Sequence, residues 1–339
     1  MDQRPAADAS RSRRLIIERP RLTSLLDQAT ASVLVLAAPA GYGKTTLAWQ
    51  WFKDTGRRAA WHQVTPSAID VVALARETAR AIETLAPGCT RHLRERLEAS
   101  RHRDPDGSEL ARALAEGLGD WQDRDWLVFD DYHVLVGSVA SEAFVETLVS
   151  RAPVRVLILS RQRPTWLTAR RLLYGEAQEL GANVLAMTQD EAAQVLQQPA
   201  GSAVSGLVAL AEGWPAVIGL AALAPPPFLD LDDIVPETLH AYFAEELYQA
   251  VPEKLKEALL RLSLAPTINA ELAAVAWGDD GERVLQEAAW RGFLTHYRSR
   301  EFDLHPLLRQ FLRAKIQLNE LWVRDWIDKL ADFLQTKRS

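Results

Sequence analysis

Nine consecutive residues, Ala38-Pro39-Ala40-Gly41-Tyr42-Gly43-Lys44-Thr45-Thr46, set two glycines beside a lysine and two threonines. That set of types suits phosphate. Glycines allow the backbone unusual dihedrals, so successive N–H groups can wrap phosphate oxygens closely. A lysine adds a point charge for the β- and γ-phosphates, and the hydroxyl after it can ligate magnesium. The run therefore reads as a P-loop for a purine nucleoside triphosphate with Mg2+, with Gly41, Tyr42, Gly43, Lys44, Thr45 and Thr46 as binding residues. One position departs from the standard spacing: Ala38 stands where the first glycine is usual. That place sets the start of the turn, and tolerance is expected.

Two further sites have the right chemistry to work beside it. Leu127-Val128-Phe129 is apolar and ends in Asp130-Asp131. Asp130 is expected to hold the metal, with Thr45 as the other metal ligand, and Asp131 to orient or deprotonate an attacking water. This strand is expected to lie beside the P-loop strand. Leu157-Ile158-Leu159-Ser160-Arg161 ends in a serine and an arginine. Ligands bind at the carboxyl ends of strands in open parallel sheets. Arg161 is placed to touch a γ-phosphate and to stabilise charge in transfer, although an ordinary exposed arginine fits the same residues.

Elements must carry these groups. Ser32–Ala38 is a short valine- and leucine-rich run, the pattern of a buried strand, and Thr45–Lys53 reads as the helix after it. Strands are also expected at 59–64, 126–129 and 154–160, with helices at 70–85, 110–118 and 141–150. Strands alternating with helices imply a parallel sheet covered on both faces, an α/β three-layer P-loop fold. After Pro164 the strand signal fades. Helices are expected at 189–197, 204–222, 237–249 and 252–263, the first opened by the capping box Thr188-Gln189-Asp190-Glu191. Pro225–Pro227 marks a hinge. The order helix, helix, short hairpin in the last third is that of a winged helix.

Bulk properties exclude some roles. The chain has 339 residues, long enough for two or three domains. Its net charge of -6 gives no bulk attraction to DNA or to an anionic membrane. The single cysteine, Cys89, rules out an internal disulfide and a cysteine-based zinc site, and fits a cytoplasmic location. The N-terminus is too polar and charged to be a signal peptide. The most apolar stretch, 207–229, is broken by Glu212, Pro215 and three consecutive prolines, which suits a buried helix better than a membrane span.

Taken together, the runs at 38–47, 127–133 and 159–164 resemble the ATPase core of MalT-like (LuxR-type) regulators, in the STAND class of AAA+-related P-loop NTPases. The resemblance continues through Arg19-Pro20-Arg21-Leu22, Ala-Glu-Gly-Trp-Pro-Ala at 211–216 and Leu-His-Pro-Leu-Leu-Arg-Gln-Phe-Leu-Arg at 304–313. Residues 1–14 are polar and read as a disordered arm; the resemblance implies a P-loop α/β domain at 15–180, a small helical domain at 181–228 and a winged-helix-like domain at 229–316. A C-terminal helix at 317–339, with exposed apolar potential, would begin a sensor region. It also implies roles. The segment at Arg21 lines the base, Pro215 packs near the adenine, and His305 contacts the β-phosphate of ADP and keeps the module closed. On the residues alone, a Gly-Trp-Pro triplet simply starts a helix, and a lone histidine at a strand end is a structural group.

The implied function is an ATP/ADP-driven switch for transcription regulation with slow hydrolysis as its reset. An inducer or protein partner would act on one state, self-assembly would belong to the ATP state, and no direct contact with DNA or membrane is expected. Two rivals stand beside it: a turnover P-loop kinase or motor ATPase, which needs an acceptor site the sequence does not display, and a binding scaffold that never hydrolyses, against which Asp131 argues.

Overall fold

A computed structural model of the chain describes residues 16–54, 56–99, 106–119, 121–222, 248, 251–290, 293–298, 301–316 and 321–336. The chain forms two compact units, Glu18–Leu185 and a second made mainly of Ala186–Ser339. The expected arm at 1–14, the Pro225–Pro227 hinge and the expected helix at 237–249 (Tyr248 apart) lie outside the described residues.

The first unit is built on a five-stranded parallel sheet of β1 (Val33–Ala37), β2 (Arg58–Gln63), β3 (Asp125–Asp130), β4 (Arg155–Ser160) and β5 (Ala177–Gly181), in the order β2-β3-β4-β1-β5. The three central strands are almost wholly buried, as strands covered on both faces must be. Two expectations are corrected here. β3 is not beside β1: β4 lies between them, pairing with both. Local sequence cannot fix this, because strand order is a property of tertiary pairing. The strand signal also does not end at Pro164. β5 pairs with β1 from Val33↔Ala177 to Ala37↔Gly181. It is an edge strand with half-exposed Gln178 and Glu179, so it lacks the apolar run that marks a central one.

Helices cover the sheet. Val71–Glu83 is capped by Asp70, whose side chain accepts from the N–H of Val72, and it buries Leu74, Ala75, Thr78, Ala79 and Ile82. Gly107–Ala115 packs along Val139–Arg151 at such short range that a Cβ on Gly107 would sit 2.1 Å from the carbonyl oxygen of Ala140. On the edge strand side, Arg58 donates two bonds of 2.6 Å to the buried carboxylate of Asp125 and ties the starts of β2 and β3 together.

The second unit begins with helix Gln189–Leu196, whose Thr188/Glu191 capping box is formed as the sequence predicts. The single helix expected at 204–222 is two helices, Ser202–Leu210 and Pro215–Ala221. Glu212 and Gly213 take left-handed backbone angles (φ 49° and 69°) and turn the chain, and Pro215 restarts it as the first helical residue.

The winged-helix part contains Glu253–Leu264, Ala270–Trp277 and Gly281–Trp290, and an antiparallel sheet of β6 (Ile268–Asn269), β8 (Glu301–Leu304) and β7 (Leu294–Arg298) in that order. Arg309 and Arg313, on the helix Pro306–Ala314, donate to the carbonyls of Ala265 and Ser263 and close the end of Glu253–Leu264. The last helix, Leu321–Thr336, covers part of its apolar side and leaves Ile327 exposed. Val323, Trp326 and Leu330 are buried, and the Trp326 indole N–H donates to the carbonyl of Arg261 at 2.8 Å.

The close approach at Gly107 sets a stability test. Gly107→Ala forces the two helices apart, and a loss of about 1–3 kcal/mol is expected, read as a lower urea midpoint. An unchanged midpoint would contradict the packing.

Candidate functional site

The loop between β1 and the helix Lys44–Asp54 is shaped by two glycines in left-handed geometry, Gly41 at φ 77° and Gly43 at φ 73°. Only glycine adopts these angles without strain. Ala38 is fully buried, sits outside that region and donates its N–H to the Ser160 carbonyl at 3.2 Å, so an alanine is accommodated there. Lys44 folds back over the loop, its Nζ donating to the carbonyls of Ala38 (2.7 Å) and Pro39 (2.9 Å). Burial, and then the nearby Arg161, pull its pKa down to about 8, while Asp131 and Asp130 oppose them. Tyr42 is buried and Thr46 exposed.

Thr45 turns the other way. Its hydroxyl lies 3.1 Å from both carboxylate oxygens of Asp130, spanning from the first turn of the helix to the end of β3. Burial pushes the Asp130 carboxyl up, and repulsion from Asp131 adds to it. A divalent cation would relieve both. The donors here are a hydroxyl and a carboxylate, the hard oxygen set that magnesium takes together with phosphate oxygens and water. Among the described residues no cluster of three or more histidine, cysteine or acidic side chains offers another metal site.

Asp131 leaves the strand in left-handed geometry, φ 57°. Consecutive strand residues point to opposite faces; the turn at Asp131 releases it from that alternation. Gln63, the last residue of β2, donates its side-chain N–H to Asp131 at 2.6 Å, and His133 Nδ1 lies 3.8 Å from the other carboxylate oxygen. His133 is buried, which together with Arg161 lowers its pKa to about 4 and keeps it neutral near pH 7. Arg161, at the end of β4, is half-buried, and its charge reaches both Lys44 and His133. The sheet thus brings together Lys44, Thr45, Asp130, Asp131 and Arg161 at the carboxyl ends of β1, β3 and β4.

Three residues of this region escaped the sequence reading. Gln63 and His133 are two, and the signal for Gln63 was available: a polar residue ending a strand of the same sheet. The third is Glu142. Its buried carboxylate accepts from the N–H of Gly137 (3.2 Å) and from the N–H (2.8 Å) and hydroxyl (2.7 Å) of Thr165. Nearby, the Trp166 indole donates to the hydroxyl of the fully buried Tyr132 at 2.8 Å. These bonds fasten the turn after Asp131 to the loop after Arg161.

The remaining expected residues sit elsewhere. Arg21 is exposed and donates to the Val184 carbonyl at 2.9 Å, within the first unit. Pro215 and His305 lie in the second unit, on one small cluster. His305 Nε2 is 3.0 Å from the carbonyl oxygen of Ala211, so Nε2 carries the proton. Its ring meets Trp214 edge-on, 4.9 Å between centroids. Burial lowers its pKa.

Comparison with known proteins follows this geometry. Residues 244–322 match the family model described as the MalT winged helix domain. The chain is 28% identical over 316 residues to the HTH-type transcriptional regulator MalT of Yersinia pestis, covering 87% of this chain and 34% of that protein. It therefore spans about a third of the curated relative it matches. Among solved structures, a Walker-type ATPase of Pyrococcus abyssi aligns over 88% of this chain and 96% of its own, with a TM-score of 0.56 and 12% identity. A signal transduction ATPase with numerous domains from Pyrococcus horikoshii, which carries a tetratricopeptide repeat sensor, covers 96% of this chain and 46% of its own at a TM-score of 0.42 and 19% identity.

The buried histidines make stability depend on pH. His62, His133 and His305 have lowered values in the folded chain, so the unfolded chain binds more protons below about pH 6.5. Stability is then complete above that pH and falls as pH drops toward 4. Asp130, with its raised value, acts in the opposite sense at the acid end. Comparing urea midpoints at pH 7 and pH 5, His133→Gln is expected to shrink the difference; an identical pH dependence would remove His133 from the account.

Proposed function

We propose that this homologue of MalT-type regulators is an ATP- and ADP-binding signalling switch in which hydrolysis is slow and serves as a reset. The observation that carries the reading is the bond between Thr45 and Asp130 beside a lysine coiled over a glycine loop, the arrangement needed to hold a magnesium nucleoside triphosphate. Lys44 is already half-withdrawn from water and bonded to two loop carbonyls. Phosphate oxygens would take over these bonds and repay its desolvation. Magnesium held by Thr45 and Asp130 would neutralise charge between the β- and γ-phosphates.

Asp131 is assigned to the attacking water and Arg161 to the γ-phosphate, where it would offset charge in the transition state. The Gln63 amide already occupies one oxygen of Asp131. This favours slow turnover, since the base must share its carboxylate. Pro215, His305 and the segment at Arg21 are assigned to nucleotide retention by resemblance to MalT-like cores. His305, neutral and bonded to a backbone carbonyl, would be a hydrogen-bond donor rather than a cation in that role. Supply of an inducer or protein partner, self-assembly in the ATP state and a cytoplasmic location belong to the same proposal. Among the described residues no helix is long and apolar enough to cross a membrane.

Lys44→Ala is expected to abolish nucleotide binding by calorimetry; unchanged ATP affinity would sink the site. Proton linkage gives an independent check. Near pH 8.5 free Lys44 is largely neutral, and phosphate oxygens raise its pKa, so binding should take up protons. Titrations in two buffers of different ionisation enthalpy measure this directly. His305→Ala should speed ADP release more than ATP release, and an equal effect on both would reject its assigned role.

A further inference from the structure

The helices Val71–Glu83 and Arg91–Ala99 line an open cavity of about 550 Å³ that contributes nothing to the phosphate site. Its size is within the range of small-molecule pockets. Ala79, Leu93 and Leu97 form an apolar floor, the first two fully buried. Arg76, Arg80 and Arg94 stand around it with their side chains exposed.

The cavity wall carries three arginines against two acids, Glu83 and Glu98. Arg76 and Arg80 are one turn apart on the same helix face, where like charges repel. Among the described residues no carboxylate lies within ion-pair reach of Arg76, Arg80 or Arg94, whereas Arg96 on the same helix does pair with Glu109. Glu98 is exposed, and Glu83, although it feels the charge of Arg94, is held mainly by the turn. The Glu83 carboxylate accepts from the N–H of Gly88 at 2.7 Å and from the Cys89 thiol at 3.7 Å, holding the turn between the helices.

We propose that this cavity binds a small organic anion, an oxyanion head seated between Arg76, Arg80 and Arg94 with an apolar body on Ala79, Leu93 and Leu97. Guanidinium forks match carboxylate and phosphate oxygens in geometry, and the apolar floor rewards a hydrocarbon tail that a free inorganic ion lacks. The site is separate from the nucleotide site and does not rest on that assignment. A ligand there would report on the cell's chemistry through the domain that carries the phosphate loop.

The probes are octanoate and octyl phosphate, titrated calorimetrically into the full chain, with octanol and inorganic phosphate as the two half-ligands. One or both anions should bind saturably at one site, and each half-ligand at least tenfold more weakly. The better of the two anions identifies the head group. R76A/R80A should weaken it at least tenfold, while Lys44→Ala leaves it unchanged. Equal affinity in R76A/R80A, octanol binding as well as octanoate, or no saturable binding of either anion by about 1 mM would overturn the proposal. Circular dichroism checks that R76A/R80A is folded; if it is not, Leu97→Gln reads the floor instead, with the same tenfold loss expected.

Discussion

A hydroxyl on one helix and a carboxylate two strands away meet at 3.1 Å, and most of the first unit is arranged so that Thr45 and Asp130 can do so. β4 separates the strands that lead to them. The distance is bridged because all the strands run parallel and end on the same edge, and because the loop after β1 leads into a helix that starts at Lys44. The central strands must then be buried on both faces, which demands helices above and below. The valine- and leucine-rich strands and the amphipathic helices answer that demand.

The same constraint accounts for the electrostatics. Bringing Lys44, Asp130, Asp131 and Arg161 to one partly buried edge sets charges of both signs in a medium that disfavours them. Lys44 moves down and Asp130 up, each toward its neutral form. His133 is kept neutral beside them. The magnesium nucleotide proposed for this site would restore the charged forms.

Legibility in the sequence followed the range of the interaction. The phosphate loop is local: nine adjacent residues specify the turn, the glycines and the start of the helix. The capping box at Thr188 was readable for the same reason. Strand order was not, because nothing between residues 126 and 160 states which strand β1 prefers as a neighbour. β5 was hidden by its polar edge residues. The break at 211–215 was misread because the apolar pattern continues through it, although Gly213-Trp214-Pro215 carried the signal. His305 and Ala211 are 94 residues apart, and no pattern in either segment announces the bond between them.

The Glu142 carboxylate has a consequence for how the site can change shape. It clasps the loop after Arg161 to the start of its own helix, while Trp166 and Tyr132 bind the same loop to the turn that displays Asp131. Arg161 and Asp131 are therefore mounted on one bracket rather than on two independent arms. These bonds tie the two ends together outside the sheet, and with the roles proposed for Arg161 and Asp131 the γ-phosphate and the attacking water would be sensed as a pair.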